Sequence, residues 1–102
     1  MRFVWRHFEI DDDCFAVRCR GASVHVEPRV LEVMIYLLRN RQRVVSKGEL
    51  RERVWCGSTV GGSAIDRSVC LVRKTLAEPT VIRTVYARGY QWTAPIDILH
   101  GP

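Results

Sequence analysis

The feature that most restricts the fold of this chain is the stretch SAIDRSVCLVRKTL, residues 63–76. Ile65, Val69, Val72 and Leu76 recur at i, i+4, i+7 and i+11, so at about 100° per residue they form one narrow apolar stripe. A segment with that period is a helix with one buried face, and other elements must cover it. On the opposite side of the projection lie Ser63, Arg67, Cys70 and Lys74, with Leu71 and Arg73 on the two shoulders. Ser63 and Asp66 have the S-x-x-D spacing of a capping box, which sets the expected helix start.

A chain of 102 residues holds one modest core. Before residue 27, the runs FVWRHFEI, CFAVRC and ASVHV are separated by DDD and by RG, and predict three short antiparallel strands. Pro28 suits the first position of a helix, where its missing N–H costs nothing. Val30, Leu31, Met34, Leu37 and Leu38 continue that helix to near Asn40. Ser46 and Glu49 form an S-x-x-E box ahead of Leu50, Val54 and Trp55, which predicts a second, short helix. Gly57, Gly61 and Gly62, with Ser58 and Thr59, break the pattern and predict a loop before the third helix. After Pro79, VIRTV and YQWT joined by YARG predict a β-hairpin. Residues 94–102 show no period and are expected to form a tail or the start of a linker, leaving 1–93 as the folded domain.

The formal net charge is +5, and the isoelectric point is near 9.4. Lys47 and Lys74 are the only lysines among 16 basic residues; the rest are arginines. Arginine presents a planar fork that matches phosphate and guanine edges, so the balance points to nucleic acid. Asp11, Asp12 and Asp13 read as a solvated turn. The four cysteines include no C-x-x-C pair, and His7, His25 and His100 lack metal-ligand spacing, so reduced thiols and no metal or cofactor are expected. No nucleophile elbow, paired carboxylate or glycine-rich phosphate loop is present, which argues against an enzyme. With neither an 18-residue apolar run nor a signal-peptide pattern, the expected location is cytoplasmic.

Strands, three helices and a terminal hairpin, in this order, make an α+β winged helix-turn-helix. In order and spacing, EPRVLEVMIYLL, RVVSKGELRERVW, DRSVCLVRKTL and RTVYARGYQW resemble the DNA-binding domain of the OmpR/PhoB family of bacterial transcription factors. The resemblance is to its ToxR/CadC/HilA-like branch in particular. It implies double-stranded DNA as partner, with helix 63–76 in the major groove and hairpin 81–93 at the minor groove. It nominates Ser63, Ala64, Asp66, Arg67, Cys70, Leu71, Arg73 and Lys74 on the helix, Trp55 behind it, and Thr84, Tyr86, Arg88 and Tyr90 on the wing. For loop 56–62 the resemblance implies an RNA polymerase contact, with a plain connector as the alternative, and it leaves self-association on DNA open. The motif opens the chain, so no receiver domain is expected ahead of it.

This sequence departs from the family pattern at three positions. Cys70 and Leu71 stand where a pair of arginines is common, and Tyr86 replaces a minor-groove arginine that Arg88 is positioned to supply. An apolar central pair suits a thymine methyl better than a guanine edge. The alternative is a winged-helix protein-interaction module in which Cys70 and Leu71 form an exposed apolar patch. Leu71 packing against the second helix, Arg73 pairing with Glu49 or Glu52, and Tyr90 and Trp55 serving as core are the competing structural roles for these residues.

Overall fold

A computed structural model describes residues 1–99. Four strands precede the first helix: β1 (Arg2–Trp5), β2 (Phe8–Asp11), β3 (Ala16–Cys19) and β4 (Ala22–Val24). The run FVWRHFEI, expected as a single strand, is folded on itself, with Trp5 opposite Phe8. Its turn, Arg6-His7, carries no glycine or asparagine, and Arg6 adopts a positive φ of 53° without one. The β3–β4 turn has the expected chemistry: Arg20 and Gly21 both take positive φ, as a two-residue hairpin loop requires.

Three helices follow: α1 (Pro28–Arg39), α2 (Lys47–Val54) and α3 (Gly62–Thr75). All five apolar residues expected on α1 are buried, together with Val33 and Ile35. Each such side chain contributes about 1.5 to 3 kcal/mol when fully buried. Ser46 caps α2 by accepting the Glu49 backbone N–H at 3.0 Å. The Glu49 carboxylate does not reach back to complete the box; it accepts instead from the Tyr36 hydroxyl and from Arg43.

The capping box expected on α3 does not form. The helix begins a residue earlier, its cap is Gly61, and no side chain bonds to the cap position. Asp66 is drawn away by partners from other elements, described below. At the other end, the Glu78 N–H bonds to the Arg73 carbonyl at 3.2 Å and the Ala77 N–H to that of Lys74 at 3.1 Å. This is a Schellman closure with alanine, at φ 56°, in the usual glycine position.

A 3-10 turn (Pro79–Val81) leads into the wing, β5 (Ile82–Val85) and β6 (Gly89–Trp92), paired antiparallel from Ile82–Trp92 to Val85–Gly89. The segment expected as a tail then adds β7 (Asp97–Leu99) beside β1. The resulting sheet has the order β4-β3-β2-β1-β7. The unit therefore runs past residue 93; His100, Gly101 and Pro102 lie outside the described residues. Ile98 faces Phe3 across the β1–β7 pair and packs against the core. Phe3, Trp5, Ile10 and Val17 of the sheet share one core with the apolar faces of α1 and α3 and with Trp92. The architecture is a winged helix-turn-helix with an N-terminal sheet.

Candidate nucleic-acid interface

Burying Ile65, Val69 and Val72 against α1 decides what α3 presents outward. Ser63, Arg67, Cys70 and Lys74 are all exposed, as their projection requires. Among the described residues the Arg67 guanidinium has one ion-pair partner, Glu27 at 3.9 Å, with both side chains more than half exposed. Such a surface pair is weak and easily exchanged for another anion. Ala64 is half-buried, and its carbonyl accepts the Ser68 hydroxyl at 3.1 Å.

The two shoulder residues behave differently from the stripe. Leu71 is half-buried and packs against the core, lining a small 170 Å³ recess with His25, Val26, Val30 and Thr75. The central apolar pair is thus divided: Cys70 faces out and Leu71 turns inward. The exposed patch required by the protein-interaction alternative is reduced to the Cys70 thiol and part of the Leu71 side chain. Arg73 pairs with neither Glu49 nor Glu52. It donates through Nη2 to the Ile82 carbonyl at 2.7 Å and to Thr84 Oγ1 at 3.1 Å, and through Nε to the same carbonyl at 3.2 Å. Two residues nominated for DNA contact therefore bond to each other, holding β5 against α3.

The wing tip is a three-residue loop closed by the Arg88 N–H on the Val85 carbonyl at 3.0 Å. Tyr86 stands 94% exposed at its apex, an unusual setting for so much apolar surface. Arg88 and Thr84 are also exposed. Tyr90 is not: it is 5% exposed, and its N–H and carbonyl bridge to Val45 at 2.9 and 2.8 Å. That bridge brings the backbones very close at Gly89, where an added Cβ would lie 2.0 Å from the Val45 carbonyl oxygen. The Tyr90 hydroxyl donates to Asp66 Oδ1. Lys47 also reaches Asp66, with Nζ 2.9 Å from Oδ1. These two contacts, the tyrosine first, hold the Asp66 carboxyl below its ordinary value. Burial, and then the hydrogen bond to Asp66, push the Tyr90 phenol up to about 12.

Lys47 is a residue that the sequence reasoning missed. It occupies the first turn of α2, where a cation opposes the helix dipole. That conflict was a readable signal of a tertiary partner. With Ser46, Gly48 and the wing residues Thr84, Arg88 and Tyr90, it lines a 490 Å³ cleft between the start of α2 and the hairpin. Trp55 caps the end of α2, half-buried, with the Arg29 guanidinium 5.6 Å from its ring centre. Loop 56–62 is mostly exposed; Arg51 Nε donates to its Val60 carbonyl at 3.2 Å. All four cysteines are free thiols.

The family described as "Transcriptional regulatory protein, C terminal" matches residues 21–92. The chain belongs to this family. Among its relatives, the transcriptional regulator HilA of Salmonella typhi is 27% identical over 104 residues, covering 99% of this chain and 19% of that protein. The transcriptional activator CadC of Escherichia coli K12 is 30% identical over 81 residues, covering 74% of this chain and 16% of that protein. The chain thus spans about a fifth or less of these relatives' length. The solved DNA-binding domain of E. coli CadC superposes with a TM-score of 0.81 at 24% identity, covering 94% of each chain. The Klebsiella pneumoniae RstA DNA-binding domain, solved in complex with the RstA box, gives 0.74 at 22% identity over 89% of this chain and 95% of that one.

Proposed function

We propose that this domain binds duplex DNA sequence-specifically, as the DNA-binding unit of a bacterial transcriptional regulator, with α3 in the major groove and the hairpin tip at the neighbouring minor groove. The observation that carries this is the exposed α3 stripe of Ser63, Arg67, Cys70 and Lys74, on a helix whose opposite face is sealed in the core. A single helix of this diameter fits the major groove of B-DNA, and Arg67 is the stripe's one guanidinium. Arg88 supplies charge at the wing, beside the fully presented Tyr86. Trp55 is assigned a phosphate contact through its indole N–H. The domain acts by binding and has no reaction of its own. RNA polymerase is assigned to the exposed loop 56–62, self-association to assembly on DNA, and the cytoplasm follows from a DNA partner. Among the described residues, no helix is long and apolar enough to cross a membrane.

The test begins with sites selected from a random duplex pool and titrated across salt concentrations. Binding should weaken steeply with salt, since phosphate neutralisation releases counterions. Arg67→Ala should cost about 1 to 3 kcal/mol on the selected site and relax preference at one base pair, with little change on random duplex. Arg88→Ala should lower the salt slope by roughly one and leave the preferred bases of the α3 site intact. Salt-independent binding, or none, would sink the proposal.

A further inference from the structure

Asp66 and Arg73 are seven residues apart on α3, two turns along one side of the helix. Each holds a different strand of the wing. Arg73 binds the Ile82 carbonyl and Thr84 Oγ1 on β5, and Asp66 accepts the Tyr90 hydroxyl on β6. Thr84 and Tyr90 are register partners, so both grips fall on one rung of the hairpin. Two cations lie near the Tyr90 ring, Lys47 Nζ at 6.0 Å and the Arg73 guanidinium carbon at 5.9 Å from its centre. Lys47 binds both Asp66 oxygens, at 2.9 and 3.2 Å, and ties the start of α2 to the same point.

We propose that Asp66 and Tyr90, with Lys47 as charge partner, form a latch that fixes the wing at a set offset from α3, making Asp66 a positioning residue rather than a DNA contact. An uncompensated carboxylate on a helix that approaches phosphates would repel them, whereas here one oxygen accepts a hydrogen bond from the phenol and both face an ammonium. Tyr86 and Arg88 at the tip are exposed, and among the described residues neither side chain has a hydrogen bond or ion pair, so their placement relative to the α3 stripe depends on how the rung beneath the tip is held. Fixing that rung before binding removes an ordering cost from recognition. It also sets the spacing between the base pairs met by α3 and the minor-groove segment met by the wing. This part of the inference rests on the DNA-binding function proposed above.

Two measurements test the latch, one of them without DNA. In the free protein, Tyr90→Phe deletes only the hydroxyl and should speed amide exchange in the wing, residues 83–91, about tenfold while α1 amides keep their protection. Asp66→Ala should do the same. Asp66→Asn retains an oxygen that accepts from Tyr90, and should fall between Asp66→Ala and the unaltered protein. With duplexes, Tyr90→Phe should weaken binding about tenfold on a site that includes the minor-groove flank and leave binding unchanged on one cut short of it. Adding Arg88→Ala to Tyr90→Phe should then cost less than Arg88→Ala alone. Wing exchange unaltered in both Tyr90→Phe and Asp66→Ala overturns the latch. Equal losses on both duplexes, with changed base preference for Asp66→Asn, would make Asp66 a direct contact and overturn it too. If the unaltered protein binds no duplex, the functional proposal fails while the exchange result still decides whether the latch exists.

Discussion

Cys70 and Leu71 are neighbours in sequence and differ in what they touch, because consecutive helical residues point about 100° apart. Cys70 is exposed, whereas Leu71 is half-buried beside His25, Val26 and Val30. Substituting arginine therefore separates them. Cys70→Arg should leave the thermal midpoint almost unchanged, within roughly 0.5 kcal/mol, and steepen the salt dependence of duplex binding. Leu71→Arg should cost on the order of 1 to 2 kcal/mol, because the lost apolar contact is not replaced and only part of the side chain can escape to water. Equal melts for the two variants would refute the division. The outward stripe of α3 was legible because periodicity alone determines it. The roles of Asp66 and Arg73 were not, since both are set by partners on β5, β6 and α2, distant in sequence. Lys47 left a trace, being a cation at the wrong end of a helix.

At the scale of elements, the interiors of the helices followed from their apolar spacing, and their ends followed less well. Ser46 caps α2 as its spacing implies, yet Ser63 does not cap α3, because the chain enters that helix through Gly61 and Gly62. The N-terminal strands were undercounted for a related reason: Arg6 and His7 make a tight turn without the residues that usually announce one. The wing hairpin was readable from its β-rich runs, but its attachment at Val45 was not. Gly89 is where this attachment is most exacting. Its φ is +145° and an added Cβ would meet the Val45 carbonyl oxygen, while at Gly21, with φ +84°, nothing lies within 4 Å. Gly89→Ala should thus lose about 1 to 3 kcal/mol or more in urea unfolding, and Gly21→Ala roughly 1 kcal/mol. A Gly89→Ala loss no greater than that of Gly21→Ala would show that the wing does not depend on this close approach.

Across the whole molecule, the helices are tied together by polar groups as well as by the core. Glu49 of α2 accepts from Tyr36 of α1 and from Arg43 of the intervening loop, and the Arg43 bond, opposed in part by burial, holds its carboxyl down to about 2. A carboxyl depressed on folding contributes stability that is present above its unfolded value and lost as it becomes protonated in the fold. The domain should accordingly lose on the order of 1 kcal/mol between about pH 4.5 and 2 from this group, after allowance for solvent screening around the exposed Arg43. Urea unfolding of Glu49→Gln should show a shallower decline over that interval, and an unchanged decline would remove Glu49 from the acid response. The closing strand β7 belongs to the same scale: Asp97–Leu99 carries no pattern of its own, and becomes a strand because β1 offers an open edge and Phe3 a place for Ile98. By itself, the sequence determined the order of elements, the buried stripes of α1 and α3 and the outward face of α3, all of which depend on local periodicity and turn chemistry. Only the tertiary structure decided that β7 closes the sheet, that Leu71 is half-buried, and that Asp66 and Arg73 bond to the wing while Lys47 pairs with Asp66. Those outcomes depend on which groups meet across long separations, and side-chain hydrogen bonds and ion pairs leave no period in a sequence.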